Sequence, residues 1–314
     1  MTPRLSIIVV SYNTRELTLE CLRSVFDQTL DTPFELLVVD NASTDGSAAA
    51  ISAEFPQVAL IANRENRGFA AANNQGLSRS RGRYLLLLNP DTLIEDRAID
   101  RMVGFMDENS DVGCSGGQVF EDAITIQRTC FRFPSVVNLV LDATRLSKSF
   151  PRSSWFGRYW YGEWDRRSAR DVDVVSGMFM LLRREVYDAI GPLDEAYFVY
   201  GEEADWCFQM HRRGIRRVFT PIARIIHRDG GGKSTRLASR RMYVQMQKSL
   251  LIFLRKNRGV LSWAGAKLIL CIANLGRWAV FRLFGLASGA ELARAKASQS
   301  SAALRFHCLG ASPE

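Results

Sequence analysis

Four apolar runs of strand length fall within about the first ninety residues of the chain. Helical patterns or dense turn-and-cap clusters separate them. Strands that are apolar on both faces are typical of parallel sheets covered by helices. The alternation therefore predicts an α/β fold with a Rossmann-like, mostly parallel sheet and helices on both faces. The four runs are Ser6–Val10, Phe34–Val39, Val58–Ala62 and Tyr84–Leu88.

Polar residues directly follow two of these runs. Asp40 follows the second run, and Asn89-Pro90-Asp91 follows the fourth. Ligands of open α/β sheets collect beyond the carboxyl ends of the strands. There Asp40 could bond a ribose hydroxyl or a base N–H, and Asp91 could hold a divalent cation. Local alternatives remain: an Asx turn at Asp40, and a helix cap at Asp91 or Thr92.

Several common site types are absent from the sequence. It has neither G-x-G-x-x-G nor G-x-x-x-x-G-K-[ST], which argues against a dinucleotide site and a P-loop. The six cysteines are scattered without metal-ligand spacing, which favours free thiols in a reducing compartment. Residues 1–4 lead straight into a strand-like run without an apolar leader, so we expect a cytoplasmic protein.

The segment from 111 to 170 is less regular. Val112–Phe120 and Ile124–Phe133 are predicted strands, and Asp173–Leu182 is a further one. An aromatic cluster lies among arginines and could stack on sugar rings or bases, or form partial core beneath a long loop. The cluster comprises Trp155, Trp160, Tyr161 and Trp164.

Two later groups carry ionisable side chains in unusual density. Glu202, Glu203 and Asp205 stand at a predicted helix start, either as an acidic first turn or as a source of a general base. His227 ends an apolar run and is followed by a glycine-rich stretch with Lys233. These two residues could contact a metal or a phosphate, and a purely structural histidine is the alternative.

Charge is distributed unevenly along the chain. Residues 1–208 carry a net charge of −9, and residues 209–314 carry +17. Such a basic region indicates an anionic partner: a membrane surface, nucleic acid or a polyanionic substrate. We divide the chain into a catalytic domain over 1–235, with halves at 1–110 and 111–235, and a basic amphipathic helical tail over 236–314.

The tail contains a strongly apolar stretch, Val260–Leu286, which Lys267, Arg277 and Arg282 interrupt. No uninterrupted apolar run reaches the roughly 18–20 residues of a spanning helix. The pattern favours one or two helices lying in an anionic membrane interface. A basic helix packed on the catalytic core and a tilted span are the alternatives. Residues 288–314 are expected to form a loose tail.

Taken together, these motifs resemble the inverting family-2 glycosyltransferases, most closely their bacterial rhamnosyltransferase-like branch. The resemblance covers residues 4–235 in family order. It rests on Ile8–Asn13, Val38–Ser47, Asn66–Gly76, Leu87–Asp91, Ser176-Gly177, Tyr200–Asp205 and His227.

The resemblance implies an A-type glycosyltransferase fold, a nucleotide-diphosphate sugar donor and a glycan or lipid-linked acceptor, with no nucleic acid as partner. The donor expected on this basis is dTDP-rhamnose, with a UDP- or GDP-sugar as the alternative. The resemblance also implies a Mg²⁺ or Mn²⁺ ion at Asp91 and His227. The implied nucleotide-sugar-binding residues are Ser11, Asn13, Asp40, Asn66, Arg67, Gly68, Asn74, Asn89 and Lys233.

Glu203 falls on the family's catalytic base, and Glu202 and Asp205 are implied to orient the acceptor or cap the following helix. Two residues depart from the family pattern. Asn89 replaces the usual first aspartate of the metal motif, which leaves one strong carboxylate ligand. Glu203 replaces the commoner Asp, so the base reaches about one methylene further.

Three rival interpretations fit the sequence less well. A nucleotidyltransferase would open with a glycine-rich loop, where this chain has Ser11-Tyr12-Asn13-Thr14. A nucleic-acid-binding module would show a recognisable basic motif, and none is present. An inactive sugar-binding relative is disfavoured because Asp91, Glu203 and Asp205 are all retained.

Overall fold

A computed structural model describes residues 2–122, 124–228, 239–288 and 291–310. The chain divides into two compact units. The first comprises Met1–Phe133, Trp164–Phe198 and Glu202–Gly230. The second comprises Pro134–Glu163, Val199–Gly201 and Gly231–Glu314. Residues 134–163 thus belong to the same unit as the C-terminal helices, a grouping that differs from the division proposed from the sequence.

The four apolar runs form the parallel part of the main sheet, as predicted. Their order across the sheet is β3-β2-β1-β4, and all three pairings are parallel. The strands are β1 (Leu5–Ser11), β2 (Phe34–Asp40), β3 (Ala59–Ala62) and β4 (Tyr84–Leu88). The connecting helices are α1 (Arg15–Gln28), α2 (Ser47–Glu54) and α3 (Phe69–Arg79).

Alternate residues of β1 face two separate apolar layers. Leu5, Ile7 and Val9 join the large core that also includes side chains of α1 and α2. Val10 joins a smaller cluster beneath α3. A Cβ added at Gly76 of α3 would come within 2.6 Å of the Ile8 side chain, so the helix lies close to the sheet because its residues are small.

The sheet continues with antiparallel and parallel strands that the later sequence supplies. Beyond β4 the order is β10-β6-β11-β5, with β8 pairing against β11, while β7 and β9 form a separate two-stranded sheet. The strands are β5 (Thr92–Ile94), β6 (Val112–Phe120), β7 (Cys130–Phe131), β8 (Arg170–Asp171), β9 (Val174–Val175), β10 (Phe179–Arg183) and β11 (Arg216–His227). The helices of this part are α4 (Ala98–Glu108), α7 (Arg184–Ile190) and α8 (Glu202–Arg212).

Two of the expected strands are shorter than the sequence pattern suggested. Only Cys130–Phe131 of the segment 124–133 is a strand, because Asp122 accepts backbone N–H bonds from Ile124 and Thr125 and closes a turn. The segment 173–182 is interrupted at Ser176-Gly177-Met178.

The second unit is helical. Its helices are α5 (Val136–Ala143), α6 (Leu146–Ser149), a short 3₁₀ helix (Arg158–Trp160), α9 (Ser239–Ser288) and α10 (Glu291–Leu309). The expected loose tail is therefore wrong over Glu291–Leu309. Ala293, Ala297 and Ala303 are buried, because small side chains let α10 pack closely.

Helix α9 reverses direction at Gly259, whose φ of 86° lies outside the helical region. Asn274 Nδ2 donates to Gln247 Oε1 at 3.0 Å, although the two residues are 27 positions apart. A straight helix would separate them by roughly 40 Å at about 1.5 Å per residue. The chain therefore forms two arms that pack side by side, the first over 239–258 and the second over 260–288.

Candidate functional site

The loops that follow β1, β2 and β3 are joined by side-chain amides. Asn41, directly after β2, is 2% exposed. Its Nδ2 donates to Asn66 Oδ1 at 2.9 Å and to the Gly68 carbonyl at 3.2 Å. Its Oδ1 accepts from Asn63 Nδ2 and from the Arg67 backbone N–H, both at 3.1 Å. Asn41 therefore fixes the loop 63–68 against the end of β2.

Asp40 is buried beside this network. Its Oδ2 accepts from the Ser43 backbone N–H at 3.0 Å, so the Asx-turn alternative is present. Its Oδ1 is buried and has no hydrogen-bond partner in the part of the chain that the structure describes. A buried acceptor without a partner is costly, and a ligand N–H or O–H would satisfy it.

The other residues expected near the nucleotide lie in different settings. Gly68 has a φ of +83° and approaches the Phe198 carbonyl so closely that an added Cβ would lie 2.4 Å from it. The Arg67 side chain is exposed beside it. Asn13 Oδ1 accepts from the Thr44 backbone N–H at 2.8 Å and so ties the loop after β1 to the loop after β2.

Two residues expected to bind the nucleotide sugar instead make their hydrogen bonds within the protein. The Ser11 hydroxyl is buried and lies 3.0 Å from Thr18 Oγ1 of α1. Asn74 holds Leu193 from both ends of its amide, with Nδ2 donating to the carbonyl and Oδ1 accepting from the N–H. These bonds give both side chains a structural role. Lys233 lies outside the described residues.

Asp91 and His227 meet because β5 pairs with the end of β11. Thr92 stands opposite His227 in the antiparallel register, and the Arg228 N–H donates to the Asp91 carbonyl at 2.8 Å. Asp91 Oδ2 consequently lies 3.0 Å from His227 Nε2. The helix-cap alternative for Asp91 or Thr92 is wrong, since β5 follows directly and α4 begins only at Ala98.

The Asp91–His227 pair has the geometry of two ligands facing one point. His227 Nδ1 lies 3.1 Å from Gln127 Oε1, a partner that favours a proton on Nδ1 and leaves the Nε2 lone pair toward Asp91. A carboxylate oxygen and a lone pair at that distance need a proton or a cation between them. Asp91 Oδ1 is also buried without a partner in the described chain. The pair therefore fits a divalent cation.

No group of three or more His, Cys, Asp or Glu side chains is placed to hold a metal among residues 2–122, 124–228, 239–288 and 291–310. Two protein ligands would leave the other coordination positions to diphosphate oxygens and water, as Mg²⁺ sites commonly do. The backbone N–H of Asn89 donates a hydrogen bond to the Met178 carbonyl oxygen at 3.0 Å.

The strand break at Ser176-Gly177-Met178 contacts Asn89 and lies close to Glu203 of α8. Met178 bonds Asn89, while a Cβ added at Gly177 would lie 3.9 Å from the Glu203 Cβ and 3.5 Å from the Phe69 ring. Residue 177 therefore lies next to both Phe69 and Glu203.

The three carboxylates of α8 occupy different environments. Glu202 and Asp205 are 4% and 3% exposed, whereas Glu203 is half-buried. Burial, and then the charge of Glu203, raises the pKa of Glu202 well above its ordinary value. Burial and the nearby carboxylates, Asp205 foremost, also raise the pKa of Tyr197. Burial is therefore the main cause of the raised pKa of Glu202, and the charge of Glu203 adds to it.

This burial predicts a pH-dependent effect of Glu202→Gln on stability. The protonated form of Glu202 carries no charge, so burying it costs little stability below the ordinary pKa of 4.5. Above that pH the Glu202 carboxyl ionises readily in the unfolded chain but not in its buried native position. The free energy of unfolding of wild type therefore falls as pH rises. Thermal melts should show the variant matching wild type at acid pH and gaining on it as pH increases. Melting profiles that stay parallel across this range would contradict the assignment.

The residues that sequence reasoning missed share one property. Asn41, Gln127 and Tyr197 act on other site residues and carry little signal of their own. Asn41 offered a partial signal, because it follows a candidate ligand in a turn cluster. The role of Gln127 depends on a contact with His227, 100 positions away, which no local pattern shows.

Comparison with known proteins gives this site its context. The family described as Glycosyl transferase family 2 matches residues 6–191. An N-acetylglucosaminyl-diphospho-decaprenol L-rhamnosyltransferase of Mycobacterium tuberculosis is 26% identical over 238 residues, which cover 72% of this chain and 76% of that protein. The O-antigen biosynthesis protein RfbC of Myxococcus xanthus is 26% identical over 235 residues, or 74% of this chain and 18% of that protein.

Two solved structures share the fold. Mannosyltransferase PcManGT from Pyrobaculum calidifontis, solved with GDP-Man and Mn²⁺, has a TM-score of 0.56 and 18% identity over 98% of this chain and 87% of that chain. GalNAc-T7, solved with UDP, GalNAc and Mn²⁺, has a TM-score of 0.57 and 14% identity over 81% of this chain and 48% of that chain. The expected A-type glycosyltransferase fold is confirmed.

The family match spans more than half of the sequence, from β1 through α7, and includes Asp40, Asp91 and the strand break at Gly177. The expectation drawn from the motifs is therefore confirmed. This chain belongs to glycosyl transferase family 2.

Proposed function

We propose that the protein is an inverting glycosyltransferase that moves rhamnose from dTDP-rhamnose onto a hydroxyl of a lipid-linked or cell-surface glycan. The observation that carries the proposal is the arrangement around Gly177 and Met178. This segment contacts Asn89, which lies two residues before the proposed metal ligand Asp91, and it approaches Glu203 of α8. The choice of rhamnose is supported by the Mycobacterium tuberculosis relative, which its name describes as a rhamnosyltransferase acting on a diphospho-decaprenol.

The nucleoside would bind at the ends of β2 and β3. Asp40 Oδ1, buried without a partner in the described chain, would accept from a base N–H or a ribose hydroxyl. The Asn41 network would hold the loop 63–68 in place before the donor arrives, so less ordering would be needed on binding.

The diphosphate would lie near Asp91 and His227, which would hold Mg²⁺ or Mn²⁺. That ion would supply charge stabilisation for the leaving diphosphate. The Gln127–His227 bond would keep the imidazole oriented, and the β5–β11 pairing would keep the two ligand side chains together. Solved neighbours of this fold carry Mn²⁺, which supports the choice of a divalent cation.

Inversion requires a base on the face of the sugar opposite the leaving diphosphate. Glu203 would accept the acceptor hydroxyl proton on one carboxylate oxygen as the new C1–oxygen bond forms and the bond from C1 to the diphosphate oxygen breaks, releasing the nucleoside diphosphate. Glu202 is buried and favours its neutral form, so it is a poor proton acceptor at neutral pH. Asp205 and Tyr197, packed beneath the first turn of α8, would keep that turn in position.

A transfer assay over a panel of sugar nucleotides tests the proposal. We expect turnover with dTDP-rhamnose and a product of inverted anomeric configuration, read by NMR. UDP- and GDP-sugars are the alternative donors, and the GDP-Man complex of PcManGT supports including the latter. Retained configuration, or no transfer from any sugar nucleotide to any lipid-linked or glycan acceptor, would refute the proposal.

We further propose that the second unit holds the protein on the inner face of the cytoplasmic membrane. One helix of the described chain, Arg240–Gly285, is long and apolar enough to cross a membrane by length and composition, with a mean hydropathy of 1.4 in its best window. Because α9 reverses at Gly259, this length belongs to two arms. Nine of the ten large apolar side chains described as exposed on α9 lie on the second arm.

The two arms and α10 bury three polar side chains that bond one another, while aliphatic side chains of the second arm are exposed. Gln247 Oε1 lies 3.0 Å from Asn274 Nδ2 and 2.7 Å from His307 Nε2, and all three residues are buried. Each comes from a different helix segment. Polar contacts and small residues between helices, with aliphatic side chains outward, are typical of helices packed in lipid.

The exposed leucine and isoleucine side chains described on the second arm fall on one stripe, which we call the aliphatic stripe. Its members lie within roughly 80° of arc at about 100° per residue. Leu268 is 61% exposed and Ile272 is 63% exposed, values that are unfavourable in water. The stripe consists of Leu261, Leu268, Ile272, Leu275 and Leu283.

Acidic substitutions on this stripe should abolish membrane binding. A Leu268→Glu/Ile272→Glu variant would place two carboxylates in the apolar layer, and we expect at least a tenfold loss of binding to phosphatidylglycerol vesicles in flotation. Lys248→Glu on the first arm makes the same net change in charge without altering the stripe and should retain most binding. Equal losses of vesicle binding in both variants would show that the change in net charge alone causes the effect.

A further inference from the structure

The aromatic cluster of residues 155–164 is divided by the structure. Trp164 belongs to the first unit, where it packs edge-on against Phe219 at 4.9 Å. Tyr161 is buried in the second unit. Trp155 is 58% exposed and Phe150 is 53% exposed. The cluster is therefore not one stacking platform, and its outer part needs a separate explanation.

The outer part is a tightly folded loop over residues 143–162, which we call the basic-aromatic loop. An added Cβ at Gly157 or Gly162 would lie 2.4 Å or 2.0 Å from the Pro151 carbonyl oxygen. The Ser153 hydroxyl accepts from the backbone N–H groups of Trp155 and Phe156. The exposure of Phe150 and Trp155 is thus imposed by a packed backbone.

Charge in the loop has one sign. Residues 143–162 contain four cations and no carboxylate side chain. Arg145, Lys148 and Arg152 are exposed, while the Arg158 guanidinium lies 5.3 Å from the centre of the Trp155 ring. Exposed aromatic rings beside exposed cations suit the boundary between water and lipid, where the rings enter the apolar layer and the cations meet phosphates.

We propose that the basic-aromatic loop is a second membrane contact, which binds the anionic phosphate headgroups of a bilayer through Arg145, Lys148 and Arg152 and inserts Phe150 and Trp155 at the interface. The proposal rests on the membrane association proposed above and adds a headgroup-specific contact to it. The aliphatic stripe supplies contact with hydrocarbon and no preference among lipids. The loop supplies the preference for anionic lipid.

The surroundings of the loop favour lipid over nucleic acid. Single-stranded nucleic acids are bound by successive aromatic faces along a basic groove. Here Trp155 is beside Arg158, and the Phe150 ring is tilted against Phe156 at 5.5 Å. The loop also shares its compact unit with the aliphatic stripe. A membrane contact through the loop would therefore lie in the same compact unit as the stripe.

Removing the loop cations tests the headgroup contact. The full-length Arg145→Gln/Lys148→Gln/Arg152→Gln variant should bind phosphatidylglycerol-containing vesicles roughly 10²-fold more weakly at low salt, since each cation near such a surface contributes about fivefold. Binding to pure phosphatidylcholine vesicles should hardly change. Arg79→Gln/Arg212→Gln/Arg213→Gln, which removes three exposed cations of the first unit, is the control for net charge and should retain binding.

The fluorescence of Trp155 reports directly whether its ring enters the membrane. Brominated lipids should quench part of the tryptophan fluorescence, and that part should disappear in Trp155→Phe, a variant that keeps the aromatic contact with lipid. A Phe150→Ser/Trp155→Ser variant should bind roughly tenfold more weakly. Ile124→Ser, which removes an 86% exposed apolar side chain of the first unit, should bind as wild type.

Unchanged vesicle binding in the cation variant, or equal quenching in wild type and Trp155→Phe, would overturn the proposal. Unchanged vesicle binding with lost binding to a single-stranded oligonucleotide would instead identify the loop as a nucleic-acid contact. Sugar transfer to a short water-soluble acceptor, measured in the same variants, should remain at the wild-type level. That assay separates failure of the loop proposal from failure of the proposed glycosyl transfer.

Discussion

Replacing Glu203 by Gln should lower turnover by roughly 10²–10⁴-fold, the usual contribution of a general base. The amide keeps the shape of the side chain and loses the ability to accept a proton. Donor affinity should stay close to the wild-type value, because the nucleotide and diphosphate are assigned to Asp40 and Asp91. Single-turnover transfer rates and donor binding, measured on the same preparation, separate the two effects.

The adjacent Glu202→Gln variant is a matched comparison for this experiment. Both changes replace a carboxyl group by an amide, one residue apart at the start of α8. Glu202 is buried and its raised pKa favours the neutral form, which an amide imitates. We expect turnover in Glu202→Gln to fall far less than in Glu203→Gln. The reverse order would transfer the role of base to Glu202.

Replacing Asp91 by Ala should reduce transfer by roughly 10³-fold, the scale of charge stabilisation that a metal ion provides. Asp91 is the one carboxylate that faces His227 Nε2 in the described chain. A chelator should lower wild-type activity by a similar factor and should have little further effect on the variant. Circular dichroism should show an intact fold, because the β5–β11 pairing uses backbone groups.

The matched comparison for this variant is Asp96→Ala, which removes an exposed carboxylate from the turn between β5 and α4. It should retain both transfer and sensitivity to chelator. If wild type and Asp91→Ala both stay active in the presence of EDTA, Asp91 has only a structural role. In that case the short distance to His227 would reflect an ordinary ion pair.

The first half of the fold followed from the sequence because its signals are local. Each of the first four strands is a short apolar run, and the polar residue after β2 or β4 lies at a carboxyl end whichever helices follow. Asp40 and Asp91 could be chosen as candidates on that basis. The helix at 69–79 was also predictable, since a run of small residues fits close packing on a sheet.

The remaining features depend on long-range pairing that no local pattern encodes. Asp91 and His227 are brought together by an antiparallel pairing of β5 with β11. Asn274 lies on the same helical arc as Lys267 and Arg277, yet its side chain is buried and donates to Gln247. That contact exists only because the chain reverses at Gly259, and a glycine within a helical pattern is a weak signal of reversal.

Sugar-nucleotide binding with and without Mn²⁺ tests the central claim most directly, because it requires no knowledge of the acceptor. We expect dTDP-rhamnose to raise the melting temperature of wild type, and Mn²⁺ to enlarge that shift. In Asp91→Ala the enlargement by Mn²⁺ should disappear, and in Asp40→Ala the shift by the sugar nucleotide itself should shrink. An equal Mn²⁺ effect in wild type and Asp91→Ala, or no shift with any sugar nucleotide, would contradict the account.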